Sequence, residues 1–269
     1  MGEDVTEQAA QAIVGDGQAI NSPEASKGGG GSPVKNKKES GAKALPKWEA
    51  DARDRVRTAV RRYSKPLVDL VARDANEGDT RLLITDFLCE GLGYDKYEDL
   101  TTEYQVKGEF ADYGIRIDKQ LVAFIEVKRC SQKLNAKHLR QVQMYAVNEG
   151  VEWMILSNGQ VWQVYHMTAG LPVVIDMALE VDLLSDASLA AKTDALFYLT
   201  KEAFKRRLID DLWRARAATS PKSLAQVLLS DVVVEAVRKE VRRQTSYNAD
   251  VTEIHRILRE EVLRSEILA

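Results

Sequence analysis

The run Leu121-Val122-Ala123-Phe124-Ile125 leads directly into Glu126-Val127-Lys128, which is the only [DE]xK triplet in the chain. A short apolar run bounded by turn-forming residues reads as a strand. Side chains alternate along a strand, so Glu126 and Lys128 project from one face and place a carboxylate beside an ammonium at the strand end. The fold must therefore contain a sheet that presents this pair together, and neighbouring strands must accommodate it.

The preceding segment supplies such a neighbour. Ala111, Tyr113, Ile115 and Ile117 alternate with Asp112, Gly114, Arg116 and Asp118. A three-residue loop of Asp118, Lys119 and Gln120 pairs Ile117 with Leu121, Ile115 with Ala123 and Tyr113 with Ile125, and sets Asp112 opposite Glu126. A two-residue loop inverts the faces and puts Asp112 opposite Val127, so hydrophobic register and carboxylate pairing select the same, three-residue loop. Two facing carboxylates repel unless a cation lies between them, and Mg²⁺ or Mn²⁺ suits such a pair. The ion would polarise a phosphoryl oxygen and lower the pKa of a bound water, with Lys128 orienting that water or stabilising developing charge. The chemistry expected is phosphodiester hydrolysis. Asp118 shares the parity of Asp112, but six residues at ~3.3 Å each place it roughly 20 Å away, at the turn.

Around this hairpin the chain divides into three stretches. Residues 1–46 mix Gly, Ser, Gln, Lys and Glu with few large apolar residues and read as a disordered tail; the glycine run at 28–31 lacks the GxxxxGK[ST] pattern of a phosphate loop. Residues 47–182 read as the domain that carries the acids. A helical pattern from Trp48 to Arg62 is interrupted at Pro66, and a second runs through Leu82, Leu83, Phe87 and Leu88 to Gly91-Leu92-Gly93. Strands follow at about 101–107, 111–117 and 121–128. A helix capped by Asn135 runs to about Asn148, an Asn158-Gly159 hairpin joins two more strands, and another strand is possible near 172–181. Residues 183–269 are almost wholly helical in pattern.

On the helix after Lys128, Gln141 and Tyr145 share a face by their spacing. Glu77 and Thr80-Arg81 before a Leu-rich helix, Gly93-Tyr94, Glu103-Tyr104, Ala111-Asp112-Tyr113, Ile125 to Arg129, Gln141 with Tyr145, and Ser157-Asn158-Gly159 with Trp162 form an ordered set. That set, over roughly residues 66–166, resembles the N-terminal nuclease domain of type I restriction enzyme HsdR subunits. The resemblance implies a restriction-endonuclease-like PD-(D/E)xK core, an α/β (α+β) fold with a mixed central sheet flanked by helices, here followed by a helical extension. It implies Asp112 and Glu126 as metal ligands assisted by Glu77, Lys128 as the catalytic lysine, and Gln141 and Tyr145 as DNA contacts. Ala111 stands where the family has proline. No motor segment is encoded, so ATP-coupled delivery of substrate does not carry over.

Two cysteines without a CxxC spacing and three scattered histidines argue against a disulfide framework or a zinc site, and no histidine is assigned a role. A net charge of −3 does not by itself announce a nucleic-acid partner, although basic residues gather at 35–47, 53–62 and 201–216. No membrane span or secretory signal is evident, and a cytoplasmic protein is expected. The function expected is a Mg²⁺- or Mn²⁺-dependent DNA endonuclease in restriction or phage defence. The rival is a catalytically silent nuclease-fold module that binds DNA or regulates a complex. A specificity or motor partner is expected to supply targeting, and the C-terminal helices offer a route to a homo-oligomer.

Overall fold

The fold opens with a helix that a proline does not break. The computed structural model describes residues 45–168, 170 and 173–268, so the tail expected at 1–46 lies outside the described residues except for Leu45 and Pro46. Helix α1 spans Lys47–Ala72 and runs through Pro66, where the sequence pattern predicts an interruption. An internal proline costs a helix about 3 kcal/mol. Tyr63, Leu67 and Leu70, one stripe at helical spacing, are buried on either side of it. At about 1.5–3 kcal/mol for each buried large side chain, their burial outweighs the lost hydrogen bond.

Helix α2 spans Glu77–Asp86 and continues through a π-helical turn at Phe87–Gly91. The Asn76 side chain caps it by accepting the Asp79 N–H at 2.8 Å, and Leu83, Ile84, Phe87 and Leu88 turn inward. At Gly91 a Cβ would lie 2.7 Å from the Ala59 Cβ, so the missing side chain lets α1 and this segment close on one another.

Six strands form one mixed sheet in sequence order: β1 Leu100–Val106, β2 Glu109–Ile117, β3 Gln120–Val127, β4 Trp153–Ser157, β5 Val161–Thr168 and β6 Val174–Asp182. All neighbours are antiparallel except β3 and β4, which helix α3, Ala136–Glu149, connects as a parallel pair. Asn135 caps α3 at its start, and Gly150, with φ +67°, closes it.

The β2–β3 hairpin corrects one expectation while preserving its consequence. The turn has two residues, Asp118 and Lys119, both with positive φ, and Ile117 pairs with Gln120. Taken alone, that turn would invert the faces. Between Ile115 paired with Ala123 and Arg116 paired with Leu121, however, β3 carries one extra residue, Val122. This bulge restores the register, so Tyr113 still meets Ile125 and, one step further, Asp112 lies opposite Glu126.

Both faces of the sheet are covered. Tyr113, Ile115, Ala123, Ile125, Ile155, Trp162 and Val164 pack with α1 and α2, while Phe124, Met154 and Leu156 pack with Val142, Tyr145 and Ala146 of α3. Gly114 faces the ring of Tyr104, which stands edge-on to Phe124 with centroids 5.3 Å apart.

Helices α4 Leu189–Phe197, α5 Lys201–Lys205 and α6 Leu208–Ala218 return to the sheet. Leu183, Leu196, Leu199, Phe204 and Ile209 share the core of α1 and α2, so the apolar interior runs across residue 183 without a break. The indole N–H of Trp153 donates to Asp210 at 3.0 Å, and Trp213 stacks on His166 with ring centroids 3.7 Å apart. Helices α7 Pro221–Leu228, α8 Asp231–Thr245, α9 Val251–Ile257 and α10 Ser265–Leu268 follow, with a π-helical turn at Leu258–Val262 after α9. Among the described residues no helix is long and apolar enough to cross a membrane.

Candidate active site

Asp112 and Glu126 come together at one end of the sheet, where the end of β3, the entry to β2 and the first turns of α2 meet. Both are nearly buried, with 8% and 2% of their surface exposed. Asp112 accepts the Val127 backbone N–H at 2.7 Å through Oδ2, while its Oδ1 lies 3.4 Å from an Arg81 guanidinium nitrogen. Lys128 donates to Glu126 Oε1 at 2.6 Å. The second oxygen of Glu126, Oε2, is buried without a hydrogen-bond partner. A lone buried acceptor of this kind costs about 1–3 kcal/mol, which a ligand can recover.

The electrostatics follow from burial. Desolvation pushes the Glu126 carboxyl up to about 7; the Lys128 hydrogen bond opposes this, and the charges of Asp112 and Glu77 add to it. Asp112 is also raised, first by burial and then by Glu77, against the pull of the Val127 N–H, Arg81 and Lys128. Burial pulls the Lys128 ammonium down, but Glu126, Glu77 and Asp112 together outweigh it, so it remains a cation. Glu77, in the first turn of α2, acts on all three groups through its charge.

The supports of this centre come largely from α2. Thr80 is fully buried; its hydroxyl donates to the Asn76 carbonyl and accepts the Cys130 N–H at 3.1 Å, tying the helix to the chain just after Lys128. The Lys128 N–H itself donates to the Ser157 carbonyl at 2.8 Å, which anchors the lysine backbone on β4. Beyond Asp112 lies Glu103. The pairs Thr102–Tyr113 and Tyr104–Ala111 flank it, so it faces Asp112 across β1 and β2, and its φ of +50° in mid-strand is strained for a residue other than glycine. Ala111 and Tyr113 join opposite cores although two residues apart, so β2 rolls at Asp112, directly across from this kink.

Gln141 and Tyr145 do share a face, and Gln141 donates to the Tyr145 hydroxyl at 3.1 Å. Tyr145 is fully buried, however, and its hydroxyl donates to the Phe110 carbonyl at 3.0 Å. Packed against Phe124, Tyr145 holds Gln141, and of the two residues expected to contact DNA only Gln141 is partly exposed in this structure. Asp118 pairs with Lys205 at the far turn. His138, which the sequence leaves without a role, lies close enough to Lys128 for burial, Lys128 and Lys137 to lower its pKa, and its Nε2 meets the Gln132 amide at 3.0 Å. Thr80, Arg81 and Glu103 belong to the ordered set quoted from the sequence, but no role follows from it for them; the register of β1 and the phase of α2 bring them beside the acids.

Among the described residues no group of three or more His, Cys, Asp or Glu is gathered tightly enough to hold a metal by protein ligands alone. Two buried carboxylates facing one another on adjacent strands, one with an idle oxygen, nevertheless fit a hard divalent cation that keeps most of its own waters. The basic clusters at 53–62 and 201–216 are largely spent on structure: Arg53 pairs with Glu49 and Asp194, Arg55 with Glu202, Arg62 with Glu90 and Arg214 with Asp211.

No curated protein and no solved structure matches the chain. A six-stranded mixed sheet flanked by helices accords with a restriction-endonuclease-like α+β fold, and residues 76–172, which contain every residue of the centre, match the family model of the type I restriction enzyme R protein N terminus.

Proposed function

We propose that the centre hydrolyses phosphodiester bonds of DNA with the help of Mg²⁺ or Mn²⁺, as part of restriction or phage defence. The observation that carries this reading is the pairing of two buried carboxylates on adjacent strands, one with an unpartnered oxygen, beside a lysine that remains charged. Asp112 and Glu126 would hold the cation, with Glu77 adding negative charge nearby, and Lys128 would stabilise charge developing on the phosphate or orient the attacking water. The cation itself would supply Lewis acidity and a more acidic water. Gln141, held by Tyr145, would meet the substrate at the edge of the centre. With net charge −3 and most arginines already paired, the chain alone binds DNA weakly and with strong salt dependence, and a specificity or motor subunit supplies targeting.

The test is cleavage of plasmid and single-stranded DNA with Mg²⁺ or Mn²⁺ by wild type, Glu126→Ala and Lys128→Ala at matched folding. Cleavage by wild type alone supports the assignment. One observation favours a second reading, a silent nuclease-fold module in a complex: Arg81 and Lys128 already neutralise the two acids internally. Folded wild type that neither cuts DNA nor binds Mn²⁺ would select that reading.

A further inference from the structure

Arg81 combines a fixed backbone with a loosely held head. Its carbonyl accepts the Tyr113 hydroxyl at 2.9 Å and the Thr85 hydroxyl at 2.8 Å, which pins the main chain against β2. Its guanidinium instead spans two carboxylates at 3.5 Å to Glu103 and 3.4 Å to Asp112, whereas Arg55 meets Glu202 at 2.7 Å and Arg53 meets Asp194 at 2.6 Å. The head is thus shared between two acids and committed to neither. Beside it, between α2 and β1, opens a groove of about 470 Å³ onto which Gly78, Thr85, Lys96 and Thr102 also face. Lys96 has no ion-pair partner among the described residues, while Glu103 and Asp86 line the same groove.

We propose that Arg81 is an exchangeable counter-ion: without a cation it neutralises Asp112 and Glu103, and when a divalent cation takes the carboxylates it turns into this groove and holds a phosphate of the nucleic acid. The inference rests on the proposed cleavage reading for the identity of the cation and of the substrate. An arginine suits both tasks, since its planar fork matches carboxylate and phosphate alike. The acids in the groove couple the two events. Were Arg81 to leave them without replacement, Glu103 and Asp86 would repel a phosphate, and a cation bound next to them removes part of that repulsion. Conversely, a cation must displace the guanidinium before it can have Asp112, so the free protein binds it more weakly than the carboxylates alone would.

The experiment is calorimetric titration of Mn²⁺ into the full chain, together with DNA binding by anisotropy across a salt series in Ca²⁺, for wild type, Arg81→Gln and Arg81→Lys. Removing the competitor makes Arg81→Gln bind Mn²⁺ at least about fivefold more tightly than wild type. Loss of one phosphate contact lowers its log–log salt slope for DNA by about 0.9. Arg81→Lys, whose ammonium cannot span both acids, also binds Mn²⁺ more tightly but keeps the wild-type slope, and it serves alone should Arg81→Gln not fold. Unchanged Mn²⁺ affinity in the folded variants, with wild type binding the ion, overturns this role for Arg81 and leaves the cleavage reading standing. An unchanged salt slope in Arg81→Gln overturns the phosphate contact. Absence of Mn²⁺ binding from all three proteins removes the cleavage reading and this inference with it.

Discussion

Replacing Glu126 with glutamine should flatten the dependence of stability on pH. In the fold the Glu126 carboxyl titrates near 7 because burial disfavours its charge, whereas in the unfolded chain it titrates near its ordinary 4.5. The folded pKa is the higher of the two, so the folded state holds its proton longer and stability falls as pH rises. The penalty is absent below about pH 4.5, grows across the interval and is complete above about pH 7. At 1.36 kcal/mol per pH unit, the passage from 4.5 to about 7 amounts to about 3 kcal/mol. For a folded unit of this size that corresponds to about 6–12 °C in Tm. Thermal or urea unfolding at pH 5 and pH 8 measures it. Wild type should lose most of that amount between the two, and Glu126→Gln, which has no proton to lose, should lose much less. The amide still accepts a hydrogen bond from Lys128 but no longer balances its charge, so part of the gain at pH 8 is offset. Saturating Mn²⁺ should likewise remove the fall in wild type, because a bound cation favours the ionised carboxylate. An equal loss of stability in wild type and Glu126→Gln between pH 5 and pH 8 would refute the claim that this carboxyl is strained by burial.

Three further outcomes test the scaffold. Thr80→Val leaves the Cys130 N–H without its acceptor in the interior, which should cost about 1–3 kcal/mol in urea unfolding and reduce cleavage by loosening the chain after Lys128. Gly114→Ala places a Cβ 2.9 Å from the Tyr104 ring and 3.0 Å from Leu121, so overpacking should destabilise the sheet by about 1–3 kcal/mol, again read by urea unfolding. Lys119→Gly relieves a positive φ of 70° in the two-residue turn and should leave stability unchanged or raise it by up to about 1 kcal/mol in Tm-derived terms; a clear loss would contradict the turn geometry.

Much of the centre is written in local alternation. The run Leu121–Lys128 and its partner Ala111–Ile117 specify which residues face each other, and the structure pairs Tyr113 with Ile125 and Ile115 with Ala123 as that pattern requires. Asn135 and Gly150 mark the ends of α3 because cap chemistry is local. Other features depend on distant partners. Pro66 reads as a helix stop until the burial of Leu67 and Leu70 is known. The spacing of Gln141 and Tyr145 places them on one face but does not say that Phe110 and Phe124 close over the tyrosine. Arg81 and Glu103 stand in the ordered set of motifs without a role of their own; their meeting with Asp112 depends on where α2 lands against the end of β2. The C-terminal helices are legible as helices, yet nothing in their periodicity reveals that Asp210 answers the indole of Trp153.

The bulge at Val122 makes the hairpin a kind of vernier. A two-residue turn plus one extra strand residue gives the same facing of Asp112 and Glu126 as a three-residue turn without a bulge. What the acid pair demands is therefore an odd count of residues between Ile115 and Ala123, whatever their division between turn and strand. Deleting Val122 alone would rotate one acid away from the other, and inserting a single residue after Lys119 in the same chain would bring it back. Length variation in this hairpin among chains that keep the same acid pair should accordingly come in pairs, or as a residue traded between the turn and the bulge.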